Sequence, residues 1–202
     1  MPSRSDVRKR LRDARRALSP EQRAAHADAL AWHLARHPLL LNSRRIAAYL
    51  PVDGEMDPMP LVWRAWELGK TVYLPVLVPY GHNRLWFAPF RDGDPLVRNR
   101  FGIAEPLRIH RERANSIELD LVLAPLVGFD PRGNRLGMGG GFYDRSLAFL
   151  NRRRCWKKPR LIGLAHECQQ VPRLDGAPWD VPLHAIATES GLRIIARPTT
   201  KP

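Results

Sequence analysis

The chain has 202 residues, 44% hydrophobic and 26% charged, with a formal net charge of +13. At roughly 150 residues per domain, one domain over 1–202 is expected, large enough to bury a core without staples. Two cysteines without a CxxC pair, Cys155 and Cys168, argue against a disulfide scaffold or a thiolate metal site, and no run approaches the ~20 apolar residues of a membrane span.

In chain order, Val7, Leu11, Ala14 and Leu18 recur at helical spacing, so 5–18 is a predicted helix. Ser19, Pro20 and Gln22 read as a capping box with proline at the first helical position, opening a second helix over 20–37. Arg4, Arg8 and Arg12 share one face of the first. These first residues lack the apolar stretch of a secretion signal, and Asp6 and Asp13 argue against a transit peptide, so a cytoplasmic location is expected. A short strand, Ile46 to Leu50, leads into a loop over 51–57. Residues 58–68 read as a helix stopped by Gly69. TVYLPVL and RLWFAPF are two further strands, the second more exposed. LDLVLAPLVGF is the most apolar run and the candidate central strand, buried on both faces. A glycine loop leaves its end, and a helix over 142–151 follows. RLIGLAH, HAIATES and LRIIA are the last strands. This alternation predicts an α/β fold in three layers, with a mostly parallel central sheet, helices on both faces and an N-terminal helical pair. Ligands bind such sheets at the carboxyl ends of the strands, where the loops 51–57, 130–141 and 166–182 converge.

The glycine loop carries most of the chemistry. Glycines 137, 139, 140 and 141 lie between Arg135 and the run Tyr143, Asp144, Arg145. A strand, a glycine loop and a helix expose backbone N–H groups without Cβ obstruction, which suits an anion, and Arg135 could add bidentate contacts. Asp144 beside a phosphate would repel it unless a cation intervened. Magnesium resolves this, because it takes one or two carboxylates plus phosphate oxygens, and Asp180 supplies a second carboxylate. The alternatives are a tight structural turn, a helix-dipole aspartate and a turn-capping aspartate. Two nucleotide motifs are excluded. GKT at 69–71 has Arg64 where a P-loop needs glycine, and GMGGGF ends in Phe142 and is not followed by a second βα unit with an acidic ribose partner. Trp86 reads as a core or stacking aromatic and His166 as a structural histidine. The +13 charge and the basic segment 151–160 read either as solvated arginines or as attraction to anionic partners.

The block GNRLGMGGGFYDR resembles the signature of the 5-formyltetrahydrofolate cyclo-ligase family. The N-terminal arginine helix, YLPVDGEMD, GKTVYLP, FGIAEP, DLVLAPLVGFD and WDVPLHAIATE resemble family blocks in family order, so the likeness runs nearly the full chain. It implies an enzyme that converts 5-formyltetrahydrofolate and ATP into 5,10-methenyltetrahydrofolate, ADP and phosphate with Mg²⁺. Carried over by position, Arg4 and Arg8 correspond to the basic pair for the ATP phosphates. Arg135, Gly137, Met138, Gly139, Gly140, Gly141, Phe142 and Tyr143 correspond to the ATP loop. Gly139 to Phe142, with Leu50 and Glu55, correspond to folate-contacting positions, and Asp144 and Asp180 to the magnesium aspartates. Arg135, Tyr143 and Asp144 are the implied catalytic residues. Many members carry lysine where Arg4 stands and tyrosine where Met138 and Phe142 stand. The expected partners are ATP and the folate, whose polyglutamate tail the 151–160 segment would attract; a monomer is expected. A basic nucleic-acid-binding protein would explain the charge but not a glycine loop ending in Tyr-Asp-Arg. A non-catalytic folate or nucleotide binder is the other alternative.

Overall fold

The computed structural model describes residues 3–79, 83–107, 113–152 and 158–195. Helix α1 (Arg4–Arg16) opens on a capping box, Ser3 with Asp6. Helix α2 (Pro20–Ala35) opens on the expected one, Ser19 with Gln22 and proline at its start. A short α3 (Pro38–Leu41) leads into β1 (Arg45–Ala47). Helix α4 (Met59–Glu67) ends before Gly69, whose φ of +69° is where an L side chain would be strained. Strands β2 (Thr71–Leu77) and β3 (Leu85–Phe90) follow, then a small hairpin of β4 (Leu96–Arg98) and β5 (Ala104–Pro106). After β6 (Leu121–Pro125) comes a second small hairpin, β7 (Gly128–Phe129) and β8 (Arg135–Leu136). Then come α5 (Phe142–Leu147), β9 (Arg160–Leu164), β10 (Ala185–Thr188) and β11 (Gly191–Ile194).

Seven strands form one sheet in the order β11-β10-β9-β6-β1-β2-β3. The five inner strands are parallel and the two edges antiparallel. The apolar run around β6 occupies the middle, as its lack of a polar face demands. One sheet face, with Ile46, Val72, Leu121, Leu123 and Ile162, packs under α2 and α4. The other, with Ala47, Val122, Ala124, Leu161 and Ile186, packs against α5 and the segment carrying Val181 and Leu183. This is the expected α/β architecture. From β1 the chain moves one way along the sheet to β2, and from β6 the other way to β9. The loops leaving β1 and β6 therefore part, and a crevice opens at this switch point.

Three details depart from the sequence reading. Strand β3 is an edge strand, yet Leu85, Phe87, Ala88 and Phe90 are buried, because Phe87 and Ala114 exchange backbone hydrogen bonds and seal part of the edge. The segment 130–141 is a hairpin before it is a loop. Asp130 Oδ1 accepts from the N–H groups of Arg132 (3.0 Å) and Asn134 (2.9 Å), which folds the chain back and makes Arg135 a strand residue. The helix expected over 142–151 is one α-helical stretch of six residues followed by a 3₁₀ turn, Ala148–Asn151. Among the described residues, no helix is long and apolar enough to cross a membrane.

The N-terminal pair divides its work. Helix α2 lies on the sheet, whereas α1 crosses the carboxyl ends of the strands. Its Leu11 packs with Val127, Leu136 and Val171. A methyl group at Gly128 would overlap Leu11 Cδ1, so glycine is what lets helix and hairpin approach. Arg15 is fully buried and pins α1 to two loops at once. It donates to the Asp53 carbonyl (2.9 Å), the Asp53 carboxylate (3.0 Å) and the Leu126 carbonyl (3.3 Å).

Candidate active site

The loops after β1, β6 and β9 belong to three adjacent strands, so the predicted residues meet in space. Arg135 is buried in the hairpin. Its guanidinium donates to Asp144 and to the Val181 carbonyl, and Asp144 Oδ1 accepts from the Val181 N–H at 3.1 Å. Burial lowers the Arg135 pKa, opposed by the attraction of Asp144, then Asp180 and Tyr143. Both predicted aspartates thus surround one buried cation. Asp180 caps its own turn, accepting from the Ala177 N–H at 2.8 Å through Oδ2, and Arg4 Nη2 lies 3.8 Å from the same oxygen. One oxygen of each aspartate, Asp144 Oδ2 and Asp180 Oδ1, stays outside these contacts.

The four glycines do two different jobs. A Cβ at Gly140 would lie 2.8 Å from the Phe142 ring, and one at Gly141 (φ +65°) 2.7 Å from Arg145 Nη1. Those two are glycines because of their own helix. Among the described residues, a Cβ at Gly137 would meet nothing within 4 Å, and one at Gly139 (φ +103°) only the Arg8 guanidinium at 4.0 Å. Their surface faces open space edged by arginine. Arg8 Nε donates to the Gly137 carbonyl at 2.9 Å. Arg145 and Asn83 hold the Gly140 carbonyl at 2.6 and 3.2 Å, and no side chain caps the start of α5. Partial burial, then repulsion from Arg4, lowers the Arg8 pKa, so the two guanidinium groups lie close enough to repel.

Glu55 sits across the crevice in the loop after β1. It is 7% exposed, and burial raises its carboxyl pKa to about 7 against the pull of Arg15, whose Nη2 is 3.8 Å away. Its Oε2 accepts from the Val52 N–H at 3.2 Å. It borders an open hollow of about 370 Å³ shared with Val52, Asp57 and Arg23. The Tyr143 hydroxyl pKa rises through burial and then the charge of Glu55, so this hydroxyl stays a donor across the physiological range. Leu50 is half-buried at the entry to the loop. Met138 is 55% exposed, whereas Phe142 joins the lower core and meets Phe101 edge-on at 5.8 Å. Trp86 is half-buried with the Arg113 guanidinium 3.9 Å over its ring, so that face is already covered.

His166 is buried, as a structural histidine should be, but it is not fully satisfied. Its Nδ1 pairs with His26 Nδ1 at 3.0 Å, while Nε2 makes no well-formed hydrogen bond. Burial and then His26 depress its pKa to about 4. The sequence reading missed Arg15 and Asp53. Asp53 adopts φ +55° and also pairs with Arg12 and Arg16. The sequence signal for Asp53 was a DG pair in the 51–57 loop, whereas Arg15 lies off the 4, 8, 12 arginine face and no spacing singled it out. In the basic segment, residues 153–157, including Arg153 and Arg154, lie outside the described residues.

Fold and site define an α/β protein with an arginine-edged glycine hairpin at its topological switch point. The model of the 5-formyltetrahydrofolate cyclo-ligase family matches residues 1–189. The 5-formyltetrahydrofolate cyclo-ligase of Escherichia coli K12 is 41% identical over 182 residues, which is 89% of this chain and 97% of that protein. That of Haemophilus influenzae is 38% identical over 185 residues, covering 91% and 96%. The NMR structure of Aquifex aeolicus 5,10-methenyltetrahydrofolate synthetase superimposes with a TM-score of 0.79 at 30% identity, covering 98% and 96%. The chain belongs to the 5-formyltetrahydrofolate cyclo-ligase family of enzymes, as the glycine block suggested.

Proposed function

We propose that the chain cyclises 5-formyltetrahydrofolate to 5,10-methenyltetrahydrofolate at the expense of ATP, with Mg²⁺. The supporting observation is the open face of Gly137 and Gly139 beside Arg4 and Arg8, next to the buried Arg135–Asp144 pair. A formamide carbonyl is a poor electrophile. Transfer of the γ-phosphoryl group to the formyl oxygen turns that oxygen into a phosphate leaving group. The neighbouring folate nitrogen then attacks the formyl carbon, loses its proton, and the C–O bond breaks to release phosphate. Such transfer needs positioning and charge neutralisation rather than a side-chain nucleophile. Arg4, Arg8 and the glycine backbone hold the phosphates. Arg135 keeps Asp144 and the Val181 segment in place, and Tyr143 offers a protonated hydroxyl. Leu50, Glu55 and Phe142 border the folate, with Glu55 accepting from the pterin amino and ring N–H groups.

The donor set suits magnesium: two carboxylates, one in the first turn of α5 and one on the loop beside it, each with an oxygen outside the contacts above, and phosphate oxygens to complete the shell. Bound there, Mg²⁺ supplies positive charge that offsets the negative charge developing on the transferred group. The reading includes a single-domain cytoplasmic monomer and attraction of a polyglutamate tail to the 151–160 segment.

The test mixes purified protein, 5-formyltetrahydrofolate and magnesium, adds ATP, and follows the near-ultraviolet band of the methenyl product. An ATP-dependent rise supports the reading. No rise from folded, ATP-binding protein refutes it and favours a non-catalytic binder.

Two expected results follow from the geometry. Gly137→Ala changes stability by no more than ~0.5 kcal/mol, because the new methyl meets no atom of the described residues, yet it raises the KM for ATP at least ~10-fold by entering the phosphate space. Unchanged KM would show that the space belongs to something else. Glu55 gives a pH signature. In the free enzyme it titrates at about 7, and hydrogen bonds from the pterin favour its ionised form, so binding lowers that pKa. The KM for the folate therefore rises as pH falls below about 7, by up to ~10-fold per unit, and is flat above. Glu55→Gln flattens the profile. For ligand-free stability the sign is reversed. The unfolded chain sheds this proton first, so the Glu55 contribution falls as pH rises from about 4.5 to about 7.

A further inference from the structure

We propose that His26, His166 and Glu189 form a zinc-binding site, separate from the crevice where ATP and folate are placed. One ligand atom from each lies within 4.8 Å of the others. The two Nδ1 atoms are 3.0 Å apart, and His26 Nδ1 is 3.5 Å from Glu189 Oε1. A tetrahedral zinc with Zn–N bonds of about 2.0 Å needs donors about 3.3 Å apart, so the two His26 spacings bracket the requirement and the His166–Glu189 pair, within 4.8 Å, closes on the ion.

The three ligands come from different places: α2, the loop after β9, and the turn after β10. Two of them are held by contacts outside the site. Both oxygens of Glu189 accept from the Glu167 N–H at 3.1 Å. The His166 backbone N–H donates to Gln169 Oε1 at 2.8 Å, and Gln169 in turn donates to the Leu126 and Val127 carbonyls. The His166 ring is buried, and its Nε2 lacks a well-formed hydrogen bond.

Without metal, one Nδ1 donates its proton to the other. With zinc, that proton moves to Nε2 of the same ring, both Nδ1 lone pairs face the ion, and no proton is lost overall. Arg15 and Arg23 lie close enough to His166 to oppose a cation. Arg15 faces the carboxylates of Asp53 and Glu55, and Glu189 brings a negative charge into the ligand set itself. Two imidazoles and one carboxylate suit zinc over magnesium, and three protein ligands leave a fourth position for water. A metal there ties α2 to two loops at the carboxyl end of the sheet and braces the fold.

The test titrates the full chain, stripped by chelator and free of nucleotide and folate, with Zn²⁺ by calorimetry. Co²⁺ serves as a coloured substitute. The expected result is one equivalent bound, undisturbed by excess Mg²⁺, with the strong visible bands of four-coordinate cobalt and a higher Tm in zinc. His26→Ala and Glu189→Gln, on separate half-buried positions, each weaken zinc binding at least ~10-fold and abolish the Tm rise. Absence of stoichiometric binding overturns the proposal. So does binding that survives both substitutions, because the ion then sits elsewhere. Both outcomes are read without turnover, so they are independent of the proposed reaction.

Discussion

Arg135→Ala is expected to cost about 3–5 kcal/mol of stability and to leave no measurable turnover. The guanidinium is 7% exposed and is the buried cation between Asp144 and Asp180. Removing it strands Asp144 against the Val181 N–H alone, leaves the Val181 carbonyl without its donor, and opens a space in the hairpin. Breaking such a pair from one side is costly because the remaining charge stays desolvated. The same loss frees the loop that carries Asp180, so ground-state and transition-state contacts go together. Urea denaturation and the methenyl absorbance assay read the two effects separately. Arg135→Lys keeps the charge but cannot donate in two directions from a plane, so it should recover part of the stability and little of the turnover. A stability loss under ~1 kcal/mol with turnover intact would mean that the pair is solvated and incidental.

Asp144→Asn isolates charge from shape. The amide oxygen still accepts from Arg135 and the Val181 N–H, so the hairpin remains folded and the stability loss is smaller than for Arg135→Ala. What disappears is the negative charge proposed to hold magnesium beside the phosphates. Turnover should fall on the order of 10²-fold and stay low when magnesium is raised. Near-normal rates at limiting magnesium would remove Asp144 from the metal site and leave it as the partner that positions Arg135. Both variants belong in one experiment, because both residues share a network and their effects should not add.

The strands and helices were legible because their signals are local. Ser19, Pro20 and Gln22 announce a helix start, Gly69 a stop, and the run around β6 a strand without a polar face. The small hairpin at 128–136 was less legible, since two-residue strands have no periodicity to read. Its turn signal, DPRGN, was present but hidden in a segment already read as a loop. Strand β3 was read as a strand, but its burial was not, for another reason. Its burial comes from a bridge to Ala114, more than twenty residues away. The resemblance placed Arg4, Arg8, Glu55, Asp144 and Asp180 on loops or helix faces that do meet, but it assigned them to ligands and not to one another.

The sequence by itself determined the class of fold, the order of its main elements, the position of the glycine loop and the family, because each depends on spacing along the chain. Only the tertiary structure decided who neutralises whom. Asp144 and Asp180 flank Arg135, Arg15 fastens α1 to Asp53, and burial brings the Glu55 carboxyl to about 7. It also divided the glycines into two that make room for their own helix and two that face open space. Such facts depend on desolvation and on distances between segments far apart in sequence. A carboxylate's charge and a glycine's purpose are set by what surrounds them in space, and the chain must fold before those neighbours exist.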